Sequence, residues 1–196
     1  MLITLLKLIS KIFMKILRKF NSVLTILASK LRVASFYIFK ILFNKKIEIQ
    51  TGLIIGKQGY LRATDGGQIK IGKRVSVGNN VRIEAKGGHI DIGDDVFIGD
   101  GCIFVSQANI KIGSSCQIAE YVVIRDQDHS FSTRPIKDAG FKTESIEIGE
   151  DVWIGAKATV TKGSTIGNGS VIGAHALVRG SIQEFSLAVG IPAKVQ

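Results

Sequence analysis

His129, Asp126 and Asp128 fall within the short stretch "IRDQDHS" at residues 124–130, and Glu144 follows fifteen residues after the histidine. An imidazole is the side chain best suited to take a proton from a hydroxyl near neutral pH. A carboxylate beside it would orient the ring and favour its protonated form after the transfer. Asp128 has the stronger claim to that role, because in the register set out below it takes an inward position, a poor place for an unpaired carboxylate. Asp126 and Glu144 are the alternatives, and a turn-forming aspartate is the plain reading of either Asp.

The elements that would position these groups are written in a repeat. From Ile55 onward a large aliphatic residue, usually followed by Gly, returns at multiples of six, as in "IGKRVS", "IGDDVF", "IGSSCQ", "IGEDVW" and "IGAHAL". The fifth place is small or β-branched, and Cys102 and Cys116 both occupy it, so they read as buried structural residues of a reducing compartment rather than as ligands or a disulfide. Such a period predicts a coil of short parallel strands with first and fifth residues inward and Gly relieving the bends. Hexads starting at Ile71, Ile92 and Ile112 lie 21 and 20 residues apart, and those at Ile148 and Ile166 lie 18 apart, so three hexads make one turn, with extra residues such as Gly87 and Gly88 at a corner. About six coils follow.

Between Ile124 and Ile148 the period fails, since Pro135, charges and bulky side chains would fall on inward places. An excursion over residues 130–147 is expected, with His129 outward at its lip, and loops on rigid scaffolds are where functional groups gather. Trp153, the single tryptophan, also takes an outward place, for groove lining or for packing on a neighbour.

These hexads and the ending "LAVGIPAK" resemble the hexapeptide-repeat acyltransferases. The resemblance implies an all-β fold, a left-handed parallel β-helix spanning residues 47–196; the hand is implied by the resemblance alone, because ordinary parallel crossovers are right-handed. It further implies an enzyme, an O-acetyltransferase that moves an acetyl group from acetyl-CoA to a sugar hydroxyl, such as one of a cell-surface polysaccharide, as a homotrimer. "DQDHS" is similar to the family segment carrying the catalytic histidine, which assigns His129 as general base. By the same resemblance Trp153, Ala156, Ala174, Arg179 and Lys194 match positions along the coenzyme A groove, although Arg179 and Lys194 could equally be solvated charges. No metal is implied. One departure concerns the acceptor: Gly101 stands where some sugar acetyltransferases of this fold carry a substrate-contacting Asn, which argues against enzymes of simple galactosides or maltose.

The net charge of +10 belongs wholly to the N-terminus, because residues 1–46 hold ten Lys/Arg and no acid, whereas residues 47–196 hold sixteen of each sign. That distribution speaks against nucleic acid as the partner. The longest uncharged run, Phe20 to Ser29, is too short to span a bilayer, and Lys7, Lys11 and Lys15 break the apolar core a signal peptide needs. Leu5, Leu6, Ile9, Ile12, Phe13, Ile16, Leu17 and Phe20 recur at helical spacing opposite those bases. Residues 1–46 are therefore expected as a basic amphipathic helical segment on an anionic cytoplasmic membrane surface, or packed on protein.

Rival functions fare worse. A zinc carbonic anhydrase needs three converging imidazoles, and His89, His129 and His175 show no such spacing. No Gly-rich nucleotide loop precedes the repeat. A non-enzymatic membrane-bound scaffold accounts for the repeat and the N-terminus but not for the histidine-bearing interruption.

Overall fold

The computed structural model describes residues 14–15, 17, 19–34 and 46–196. Most of the apolar stripe expected within residues 5–20 lies outside the described residues. From Ile47 the chain winds as a three-sided parallel solenoid. The first sheet runs from Ile47–Ile49 to Ser181–Ile182 in seven strands. The second runs from Ile54–Ile55 to Leu187–Val189 in seven parallel strands plus a returning one, and the third from Tyr60–Thr64 to Leu177–Val178 in six. Six complete coils and the start of a seventh result.

The sequence period becomes stacked columns. Ile49, Ile71, Ile92, Ile112, Ile148, Ile166 and Ile182 sit above one another on the first sheet. Leu61, Ile83, Phe104, Ile124, Val160 and Val178 do so on the third. Nearly all are buried, and each large aliphatic contributes about 1.5–3 kcal/mol by leaving water. The fifth-place residues fill the corners, Cys102 and Cys116 among them, with no exposure. Each cysteine Sγ lies within 3.0–3.1 Å of a carbonyl oxygen in the next coil, Ala119 for Cys102 and Gly149 for Cys116. Burial pushes the Cys102 thiol up to about 11 and raises Cys116 in the same direction.

The role expected of the second-place glycines is different in the structure. Left-handed backbone angles fall on the fourth hexad place, at Arg74, Asn80, Asp95, Tyr121, Lys157 and His175. The second-place glycines instead permit close approach of successive coils. A Cβ on Gly113 would stand 2.5 Å from the carbonyl carbon and oxygen of Gly149.

Both ends of the second sheet are covered. Residues 19–34 form a helix at the N-terminal end. There Ile55 N donates to Ser29 Oγ (2.9 Å), and the Arg32 guanidinium donates twice to Ile55 O (3.0 and 2.7 Å), so the edge of the second sheet is satisfied at Ile55. At the other end Lys194–Val195 folds back antiparallel on Leu187–Val189.

Candidate active site

The interruption is a β-hairpin that closes the fourth coil, at the corner between the third and first sheets. Strands Gln127–His129 and Phe141–Thr143 pair antiparallel, with His129 opposite Phe141. A short 3-10 turn at Ile136–Asp138 forms the tip. The excursion expected at 130–147 therefore begins earlier, at Gln127, and ends earlier, since Ile146–Ile148 already belongs to the first sheet. The chain leaves the coil straight after Arg125, because Asp126 turns inward and fixes the exit.

Asp126 is fully buried. Its carboxylate accepts from Ser106 Oγ (2.6 Å), Gln107 N (2.7 Å) and Ala108 N (2.9 Å), all at the same corner one coil below. The return strand is tied to the same root: Glu144 N donates to Asp126 O at 3.0 Å, and Gly163 N donates to Glu144 O at 3.2 Å. Lys162, one coil above, donates to Glu144 Oε1 at 2.9 Å and lies 4.0 Å from Asp128 Oδ2. The hydrogen bond and charge of Lys162 hold the Glu144 carboxyl below its ordinary range.

This arrangement corrects the expected pairing of Asp128 with His129. Having left the coil, Asp128 never takes an inward fifth place; it is exposed and faces Lys162. Neighbouring residues of a strand point to opposite sides, so it cannot also lie along the imidazole. No carboxylate hydrogen-bonds His129 among the described residues. Its ring rests instead against Phe141, centroids 4.3 Å apart and tilted by 38°, and is open to solvent. Beside it Gln127 is buried, and its Oε1 has no hydrogen-bond partner among the described residues.

The residues expected along the donor groove, Arg179 apart, lie elsewhere, on the second sheet and its following corner. Trp153 is outward and exposed on the second sheet, in one column with Phe97, Gln117, Val171 and Leu187. Lys194 extends the same sheet. Ala156 and Ala174 take the third hexad place at the corner between the second and third sheets. In lower coils that place carries a side chain that caps the amide below: Asn79 Oδ1 accepts from Lys57 N (2.8 Å) and Asp100 Oδ1 from Asn79 N (2.7 Å). The ladder stops at Glu120, which caps no amide, and Ala156 and Ala174 cannot resume it, so the amides of Asp100, Glu120 and Ala156 have no hydrogen-bond partner among the described residues. In the sequence this place reads Asn79, Asp100, Glu120, Ala156 and Ala174 from coil to coil, and hexad reading alone passes over the change.

Arg179 shares the third–first corner with the hairpin, two coils above. Within one chain, then, His129 and Arg179 lie at the corner that faces away from the second sheet, where Trp153 and Lys194 lie. Gly101 occupies a left-handed turn (φ 70°), and a Cβ there would meet the Tyr121 ring at 2.5 Å. An Asn at 101 would need both the strained backbone and a displaced tyrosine.

Comparison with known proteins agrees with this architecture. A family model described as bacterial transferase hexapeptide (six repeats) matches residues 145–180. A putative lipopolysaccharide biosynthesis O-acetyl transferase of Escherichia coli, WbbJ, is 34% identical over 146 residues, covering 69% of this chain and 74% of that protein. A probable acetyltransferase of Mycobacterium tuberculosis is 40% identical over 157 residues, which are 79% of this chain. The chain spans about half of that mycobacterial relative's length, 52%. Among solved structures, a single-site mutant of AntD, an N-acyltransferase from Bacillus cereus in complex with dTDP-4-amino-4,6-dideoxyglucose and coenzyme A, superposes with a TM-score of 0.69 at 20% identity. The match covers 80% of this chain and 87% of that one. The chain belongs to the hexapeptide-repeat acyltransferase family.

Proposed function

We propose that the protein transfers an acetyl group from acetyl-CoA to a hydroxyl of a sugar, in a cell-surface polysaccharide or its precursor, with His129 as general base. The observation that carries this reading is the exposed imidazole on the stem of a hairpin whose root is fixed by the buried Asp126. An imidazole nitrogen takes the proton from the acceptor hydroxyl as its oxygen attacks the thioester carbonyl carbon. The C–O bond forms, the C–S bond breaks, and the proton passes on to the departing coenzyme A thiolate. The relative named for lipopolysaccharide O-acetylation and the structural neighbour holding coenzyme A support the acceptor and the donor.

The donor would lie along the second–third corner, where the uncapped amides of Glu120 and Ala156 suit the amide carbonyls of pantetheine. Trp153 would flank it, and Lys194 or Arg179 would face its phosphates. Because His129 and Trp153 lie on opposite sides of one solenoid, a complete site requires the hairpin of one protomer to meet the second sheet of another. A homotrimer meets that need with three equivalent sites. Asp128 acts as a positioning residue, holding the hairpin toward Lys162, rather than by contact with the imidazole.

The deciding experiment replaces His129 with Ala. Acyl transfer should fall roughly 10²–10⁴-fold, while thermal unfolding and the change in Trp153 fluorescence on adding acetyl-CoA stay as in the parent. Turnover near that of the parent would remove His129 from the mechanism.

A further inference from the structure

The helix over residues 19–34 has two faces with different employment. The face bearing Ser29 and Arg32 is spent on the first coil, through the bonds to Ile55, with Val33 packed against the core. At about 100° per residue, Phe20, Leu27 and Leu31 project on the opposite side, about 160–200° from Ser29, and Val23 and Leu24 border them. All five are exposed, Phe20 by 60% and Leu31 by 65%. Lys19 and Lys30 border this stripe on one side and are exposed as well. A surface helix ordinarily turns its apolar stripe to the core; this one docks by a polar pair and turns the stripe away.

We infer that this stripe is an interfacial docking surface for an anionic lipid bilayer, on which the N-terminal end of the solenoid rests. Charge selects the occupant. Residues 1–46 carry ten basic side chains and no acidic one, which complements anionic headgroups. A second copy of the same end would bring a matching set of positive charges against the first with no acid to offset them. The described helix is not long and apolar enough to cross a membrane; in the inferred docking it lies along the surface, with the leucines and Phe20 at the acyl boundary and the lysines among headgroups. The inference does not depend on the acyl-transfer reading.

The test uses the full chain and sedimentation with phosphatidylcholine vesicles, with and without phosphatidylglycerol. Binding should require the anionic lipid and weaken about tenfold or more on raising salt, because exposed charges are screened. The double variant Leu27→Glu/Leu31→Glu should lose binding with an unchanged melting temperature. A second variant, Lys19→Glu/Lys30→Glu, should weaken anionic binding by about tenfold or more and reads the charge contribution should the first fail to fold. Three results would overturn the inference: vesicle binding that neither variant alters, a vesicle-free oligomer that the leucine variant dissolves, or a loss of folding stability in the leucine variant while the parent ignores vesicles. The second outcome would name another copy as the occupant and the third the chain itself.

Discussion

Ser106 Oγ donates a 2.6 Å hydrogen bond to Asp126 Oδ2, joining the corner of the third coil to the point where the fourth coil releases its hairpin. The same carboxylate receives two main-chain amides. Removing it leaves one buried and two part-buried donors without an acceptor, so Asp126→Ala should lower unfolding free energy by about 2–3 kcal/mol. Asp126→Asn, which keeps one acceptor oxygen, should cost less. Denaturant midpoints at constant slope measure both, and a midpoint equal to the parent's would show that the root is not held by this group.

Ala174→Asp restores the cap that Asp100 provides to Asn79, offering a carboxylate to Ala156 N. Stability should hold or rise slightly, whereas affinity for acetyl-CoA should fall about tenfold or more as one main-chain donor is taken and a negative charge is added beside the groove. Calorimetric titration of the donor checks this. Unchanged affinity would move the donor away from the second–third corner.

Cys102 gives a pH prediction of definite sign. Its folded thiol is raised from 9.0 to about 11 by burial, so the folded state holds its proton where the unfolded chain would release it. That stabilisation is complete below pH 9 and is lost as pH rises to about 11. Thiol reagents at pH 8 should find neither Cys102 nor Cys116 in the folded protein, and both after denaturation. Rapid folded-state labelling would contradict the burial.

Subunit mixing examines the proposed sharing of the site between protomers. His129→Ala chains and Lys194→Glu chains, each inactive alone, should regain part of the parent activity after dissociation and reassociation, because some interfaces then pair an intact His129 with an intact Lys194. Failure to recover activity despite proven mixing, or a monomer by sedimentation, would mean that one chain carries its own complete site.

The solenoid was legible because its determinants are local and periodic: every six residues the same steric demand returns, and Ile71, Ile92 and Ile112 meet it in the same way. The hairpin could be located, but its root could not, since Asp126 is fixed by Ser106 and Ala108, a coil away in space and about twenty residues away in sequence. Counting hexads through the break put Asp128 inward, an error that arises because register has no meaning once the chain has left the coil. The second-place glycines mislead for a related reason, as the crowding at Gly113 comes from Gly149, in the coil stacked above it.

The first sheet pairs Ile110 with Ile146 and Ile112 with Ile148, in the register it would keep if nothing lay between the fourth and fifth coils. The hairpin is therefore an insert with adjacent ends, and closing a longer or shorter loop across them costs little, since loop entropy grows only slowly with length. For heredity this separates two problems that most enzymes must solve together. The coils carry the folding information, and the hairpin's outer part between Ser130 and Gly140 can change in length while the stem that holds His129 and the register of the core stay unaltered.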